Sequence, residues 1–365
     1  MLEIAVIGGG NGAYAAAADL ADQGHRVRWW RRDRDRFKAV LDRQRVVLYD
    51  QQGSRDVVLD RASTDLGEVV AGAELIIVPL PATAQEQVAR ELAPHLEDGQ
   101  LIFLPPGTFG TAVMARVATQ MGCRAEVAFV EAGTLPYLAR KHGEDAVAIS
   151  ARATRLPAGC FPALASKKAL RRIAQVYPSL VPLRDALDGA LMNAGPIIHP
   201  PLIFMNAAPL QHSADWDIHH EGTQPAVRAV QDALDRERIA VREALGYRPP
   251  HFPLADHYNN DGDEWMYGRE GHARLVDSGD WREPIDLYTH RYIREDVVCG
   301  LTFLASVGSW ADVPTPVADA LLQLASVVLG RDVRADGRTL TSCGLNFASR
   351  EQMRKLLDEG WGVME

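Results

Sequence analysis

Near its start the chain runs Glu3-Ile4-Ala5-Val6-Ile7 straight into Gly8-Gly9-Gly10-Asn11-Gly12-Ala13, and few folds accommodate that order. The β-branched run predicts a strand. The alanine-rich run from Ala13 to Gln23 predicts a helix, stopped by Gly24, and Val27 to Trp30 predict the next strand. Strand, tight turn, helix and strand at this pace make a βαβ unit. Within the turn, Gly8, Gly10 and Ala13 stand in the G-x-G-x-x-A arrangement. The first glycine permits the sharp turn, the second lets the backbone approach a pyrophosphate, and the small third residue lets the helix pack on the sheet. The pyrophosphate would rest on the N–H groups of the helix that begins near Asn11 and Gly12. A glycine-rich turn in some other α/β protein is the bland alternative. The flanking strand, helix and second strand weigh against it, so the expectation is a dinucleotide-binding domain.

Which dinucleotide is read at the end of the second strand. An Asp or Glu there would accept hydrogen bonds from a free ribose 2′-OH and repel a 2′-phosphate. This chain has Arg31-Arg32, then Asp33. Guanidinium groups suit a phosphate by charge and by bidentate geometry, which tilts the expectation toward NADP over NAD. The alternative is an arginine that stacks on adenine in an NAD enzyme.

A chain of 365 residues is long for one core and suits two domains. The α/β rhythm continues through apolar strands at 73–81 and 101–107 and a strand ending at Glu131. Gly133 and Thr134 follow Glu131, where residues can reach the nicotinamide end of a bound cofactor. After about residue 185 strand signals thin out and helical periodicity dominates. The expected architecture is a Rossmann domain with a parallel doubly wound sheet over 1–185, followed by a mostly α-helical domain over 186–365. The 247–281 stretch, rich in His, Asp, Gly and Pro, reads as a long functional loop or a set of short helices.

Composition excludes several classes. The net charge of −9 and the absence of any long basic run argue against a nucleic-acid surface. No apolar segment approaches a membrane span or a signal-peptide core. Cys123, Cys160, Cys299 and Cys343 fit no zinc spacing and no disulfide scaffold, so a cytoplasmic protein with reduced thiols is expected. His212, His219 and His220, with Asp215, Asp217 and Glu221, invite a metal reading. Adjacent histidines do not give the i,i+4 pairing of a helical zinc site, and a solvated, mixed loop or helix face that lines the substrate cleft is the expectation, with no metal. A homodimer fits a protein of this build, although no interface is legible.

Six segments together resemble the octopine/nopaline dehydrogenase family, that is, the opine dehydrogenases, over essentially the whole length. They are the opening GGGNGAYAAAADLADQGHRVRWWRR, LPPGTFGT at 104–111, VEAGTLPYLAR at 130–140, NAGPIIHPP at 193–201, THRYIREDV at 289–297 and GRTLTSCGL at 337–345. The first is shared with many dehydrogenases, and the later ones are more specific. The resemblance implies a Rossmann domain and a helical substrate domain with the active site in the cleft between them. It implies small-molecule substrates, an amino acid and a 2-keto acid such as pyruvate, joined reversibly through reduction of an imine. It further implies that His199 is the catalytic histidine, Asp296 its carboxylate partner, and Arg291 the residue that binds a substrate carboxylate.

The residue types suit that chemistry. An imidazole exchanges protons near neutral pH, and a carboxylate partner would fix its tautomer. Taken without the resemblance, His199 between Ile198 and Pro200 reads as a core histidine beside a proline kink, and Arg291 as an ion-pair partner of Glu295. Two other functions stand as alternatives. One is a dehydrogenase of 2-hydroxy acids or other small alcohols, for which Lys167-Lys168 offer a general acid. The other is a dinucleotide-binding protein without turnover.

Overall fold

The computed structural model describes residues 1–346 and 349–363, and the chain divides into two compact units. The first comprises Met1–Ala190 with Arg350–Glu365, the second Leu191–Ser349. The sequence-based ranges ended the first domain at 185 and ran the second through 365. The return of the last segment follows from its packing within the first unit. Leu356 and Leu357 of helix Arg350–Glu359 are buried, and Trp361 Nε1 donates to the Ala112 carbonyl at 2.8 Å.

Among its described residues the first unit carries twelve strands. They are β1 (Glu3–Ile7), β2 (Arg26–Trp30), β3 (Arg45–Asp50), β4 (Gly53–Val58), β5 (Arg61–Ser63), β6 (Leu75–Ile77), β7 (Leu101–Leu104), β8 (Ala128–Ala132), β9 (Tyr137–Lys141), β10 (Ala146–Arg152), β11 (Leu156–Phe161) and β12 (Leu180–Pro182). Eight form one sheet in the order β12-β11-β8-β7-β6-β1-β2-β5. β1 is central, and Ile4, Ala5, Val6 and Ile7 are all fully buried, as expected for a strand covered on both faces. The order reverses direction on either side of β1, which opens a crevice at the carboxyl ends of β1 and β6.

Two features depart from the expected all-parallel sheet. β11 runs antiparallel to β8, with Ala158 opposite Ala132 and Gly159 opposite Glu131. The chain leaves β8 for the β9–β10 hairpin and re-enters through a short connection, without the crossover helix a parallel return needs. The second feature is a separate four-stranded sheet, β4-β3-β10-β9. It covers the first helix, Asn11–Asp22: Tyr137 Oη donates to Asp19, and Arg152 pairs with both Asp19 and Asp50. Nine of the twelve residues of that helix are buried, from Gly12 to Leu20. A helix enclosed on both sides needs small side chains, which accounts for its alanines.

The second unit is helical and has no strand among its described residues. Helix Pro225–Ala244 buries Val227, Gln231, Leu234, Arg238 and Val241, one face at i,i+3/i+4 spacing. The buried Arg238 is compensated: it pairs with Asp235 at 2.6 Å and donates to the carbonyls of Leu191 and His251. A π-helical stretch, Tyr292–Leu301, continues into helix Thr302–Trp310, and helix Pro316–Leu329 follows. The 247–281 region contains the short helices Leu254–His257 and Gly271–Asp277. No helix among the described residues is long and apolar enough to cross a membrane.

Candidate functional site

The glycine-rich turn lies at the reversal of strand order in the first unit. Gly8 has φ +127°, a conformation open to glycine, and its nearest neighbour is the Leu80 side chain. A Cβ on Gly12 would lie 2.6 Å from Leu135 Cδ1 and 3.0 Å from Pro79 Cβ. Leu135 therefore sits directly on the turn, beside Pro79 in the segment that follows β6, and Gly133 and Thr134 come just before it in the chain. Above Gly10 the space is open: a Cβ there would meet nothing within 4 Å. Helix Asn11–Asp22 begins at this point; Ala13 and Tyr14 donate to the Gly10 carbonyl, and the N–H groups of Asn11 and Gly12 come before that first turn of bonds. Open approach at Gly10, these leading helix N–H groups and the small, buried Ala13 together fit a dinucleotide pyrophosphate.

The two arginines after β2 have different fates. Arg31 folds back over the turn, where a Cβ on Gly9 would overlap its guanidinium. Its Nη1 donates to Tyr14 Oη at 3.2 Å and to the Arg36 carbonyl at 2.6 Å. Arg32 points outward, its side chain 73% exposed, with Glu91 at 3.6 Å.

Glu131 is fully buried and accepts from the Phe109 N–H at 2.7 Å and from the Thr111 hydroxyl. Thr108 and Phe109 both have positive φ, so the carboxylate secures a strained turn at the start of helix Gly110–Gln120. Gly107 lies against the same carboxylate and leaves no room for a side chain.

In the second unit the fold brings His199 and Asp296 together across 97 positions. His199 sits mid-helix in Gly195–Met205, just before Pro200 and Pro201, and its Nδ1 is 2.7 Å from Asp296 Oδ2. Asp296 lies in the π-helical stretch, a widened geometry that recurs at functional sites. The two helices meet closely because glycines line the contact. A Cβ on Gly195 would overlap Asp296 Oδ1, and one on Gly300 would overlap Pro196. With Nδ1 on Asp296, proton exchange with a substrate would fall to Nε2. The ring is also stacked on Tyr292, with centroids 3.7 Å apart and planes at 15°.

Arg291 packs over the same tyrosine, its guanidinium 4.7 Å from the Tyr292 centroid. It is exposed, and among the described residues it makes no ion pair with Glu295, the partner expected on helical spacing alone; its Nη2 donates to Tyr292 Oη at 3.4 Å. Burial pushes the Asp296 carboxyl up to about 7, against the pull of Arg291 and His290. Burial, helped by the charge of Asp296, pushes Glu295 up to about 7, with Arg291 opposing. A carboxylate whose affinity for protons is raised in this way binds strongly to an imidazole N–H, which fixes the tautomer of His199.

Sequence reasoning missed several neighbours. The sequence reading puts His219 on a solvated face lining the substrate cleft; it does lie beside His199, edge-on at 5.8 Å, but it is 5% exposed and also edge-on to Trp281 at 5.4 Å. Its Nε2 lies 3.5 Å from Tyr292 Oη. Nothing local in the Asp217–Glu221 run signals this, because the ring partners come from 20 (His199), 62 (Trp281) and 73 (Tyr292) residues away. Tyr292 was within reach, since it lies between the singled-out Arg291 and Asp296. Lys167 and Lys168 are exposed residues of helix Ser166–Ile173, in the first unit. Among the described residues no group of three or more His, Cys, Asp or Glu could hold a metal ion.

Comparison with known proteins agrees with both halves of this arrangement. Residues 182–329 match the model for the α-helical domain of NAD/NADP octopine/nopaline dehydrogenases. Residues 3–107 match the N-terminus of NAD-dependent glycerol-3-phosphate dehydrogenase. The opine dehydrogenase of Arthrobacter sp. (strain 1C) is 30% identical over 361 residues, covering 97% of this chain and 98% of the relative. Vitopine synthase of Allorhizobium ampelinum is 27% identical over 373 residues, covering 96% and 97%. Among solved structures, octopine dehydrogenase with NADH and L-arginine superimposes with a TM-score of 0.69 at 18% identity, covering 98% of each chain. At that identity the likeness speaks for the fold.

Proposed function

This chain belongs to the octopine/nopaline dehydrogenase family of opine dehydrogenases, and on that footing we propose how its own residues serve the reaction. The protein is an NAD(P)-dependent oxidoreductase that condenses an amino acid with a 2-keto acid such as pyruvate and reduces the C=N bond to a secondary amine. In the opine-forming direction one proton is consumed, one water leaves, and the cofactor is oxidised. The bound nicotinamide supplies the hydride.

The proton is the protein's task, and we assign it to Nε2 of His199. The observation that carries this assignment is the 2.7 Å contact between His199 Nδ1 and Asp296. Asp296 holds Nδ1 protonated, so Nε2 alternates between donor and acceptor as the reaction runs in either direction. Stacking on Tyr292 keeps the ring from rotating out of that geometry. Arg291, exposed and with no carboxylate in ion-pair contact among the described residues, is suited to a bidentate grip on a substrate carboxylate. In the first unit, Gly8, Gly10, Asn11, Gly12 and Ala13 would hold the pyrophosphate, with Gly133 and Thr134 alongside. Arg31 favours NADP over NAD, through its position on the turn at Gly9.

The deciding experiment follows oxidation of NADPH and of NADH with pyruvate and a panel of amino acids, each reagent omitted in turn. Oxidation that requires both organic partners, and that falls away in His199→Ala, is the expected result. Oxidation with the keto acid alone would overturn the condensation in favour of a hydroxy-acid dehydrogenase.

A further inference from the structure

Around Tyr14, in the first unit, the fold gathers positive charge that the βαβ motif does not account for. Lys141 ends β9, in the second sheet, and its backbone N–H donates to Asn11 Oδ1 at 3.1 Å. Its Nζ lies 4.9 Å from the centre of the Tyr14 ring. Arg31 reaches the Tyr14 hydroxyl from the end of β2, and the same hydroxyl donates to the Glu144 carbonyl at 2.6 Å. Tyr14 thus pins the 141–144 segment and Arg31 to the same point of the first helix.

Positive charge predominates around the Lys141 amine, although Glu144 and Asp145 also act on Tyr14 and Asp145 is paired with Arg43. Arg36 contributes its carbonyl to Arg31 and belongs to the same cluster, its own guanidinium lying 3.5 Å from the exposed Asp33. Burial first, then the charges of Arg31 and Arg36, lower the affinity of the Lys141 amine for its proton, and no carboxylate acts on it in the opposite sense. Like charges drawn together without an intervening anion cost free energy, and a bound dianion would recover it. The pyrophosphate has its own partners at the helix N-terminus. Arg31 and Arg36 come instead from the loop after β2, where a ribose 2′ substituent lies in this fold.

We propose that Lys141, carried on the second sheet, is a specificity-determining residue that together with Arg31 and Arg36 receives the 2′-phosphate of NADP. This rests on the preference for NADP proposed above and adds a contact from outside the βαβ unit. Arg32, turned away toward Glu91, has no part in it.

The test measures equilibrium binding of NADPH, NADH and 2′,5′-ADP to the full-length protein, for wild type, Lys141→Met and Lys141→Arg. Thermal melts establish that each variant is folded. Loss of a charge-assisted phosphate contact predicts that Lys141→Met weakens NADPH and 2′,5′-ADP on the order of ten- to a hundredfold, while NADH changes less than about twofold. Lys141→Arg should restore most of the difference. Equal weakening of NADPH and NADH would place Lys141 on the shared pyrophosphate and overturn the proposal, and so would no change in either. If the wild type binds NADH as tightly as NADPH, the cofactor preference beneath the proposal is what fails.

Discussion

A single methyl group at Gly195 tests the proposed proton-transfer geometry without removing any of its chemistry. Gly195 opens the helix that carries His199, and a Cβ there would overlap Asp296 Oδ1 and lie 3.1 Å from Cγ. Asn193 Oδ1, at 3.4 Å, closes one route of escape. To reach an ordinary carbon–oxygen contact of roughly 3.3 Å, the carboxylate must retreat by about 1 Å. The 2.7 Å contact with His199 would then open to roughly 3.7 Å, beyond hydrogen-bonding range. A displacement of that size in a reacting group costs on the order of a hundredfold in rate. Overpacking costs about 1–3 kcal/mol of stability. Gly195→Ala should therefore lower kcat about a hundredfold in the amino acid-dependent oxidation assay. Its affinity for the nicotinamide cofactor, measured separately, should be unchanged. A Gly195→Ala protein with wild-type kcat would refute the coupling between these two residues.

Three further outcomes follow from the same geometry. Asp296→Asn preserves shape but removes the charge that favours protonated Nδ1, so kcat should fall by about two to four orders of magnitude with little change in cofactor affinity; titrating activity against pH would show whether the remaining rate depends on a differently placed ionisation. Glu295 is raised from 4.5 to about 7, so in the folded state it holds a proton that the unfolded chain releases. Its favourable contribution is complete below about pH 4.5 and lost by about pH 7, and Glu295→Gln should gain up to about 3 kcal/mol over wild type at pH 8 but almost nothing at pH 4. Urea unfolding at the two pH values checks this, and an equal difference at both would contradict it. Arg291→Lys keeps the charge but loses the fork, and should raise KM for the keto acid about tenfold or more while leaving cofactor binding intact; an unchanged KM would remove Arg291 from substrate binding.

The legible part of this protein is local in sequence. The turn Gly8–Ala13 could be read because its requirements are met within six consecutive residues: a left-handed glycine, an open backbone and a small helical neighbour. The alanines of the first helix were equally readable as a helix, but their reason, enclosure by a second sheet, was not. The change to helical rhythm after 185 was also visible, since amphipathic spacing repeats every few residues. His199 and Asp296 were nominated by resemblance, and nothing between them in the chain predicts their contact.

What the sequence alone determined, then, is the set of short-range conformations: where the backbone must turn, where a strand is buried on both faces, and where helices take over. The tertiary structure decided which distant segments meet. β3 lies beside β10, with Val47 opposite Ala146, and so builds the sheet that carries Lys141 to Tyr14. The antiparallel return of β11 was settled in the same way, by a connection too short for a crossover helix. Two glycines, Gly195 and Gly300, let two helices approach until Asp296 reaches His199, and the same packing buries His219 beside them. Local preferences act over a few residues, whereas these juxtapositions arise from burying surfaces dozens of residues apart, and only the folded chain contains that information.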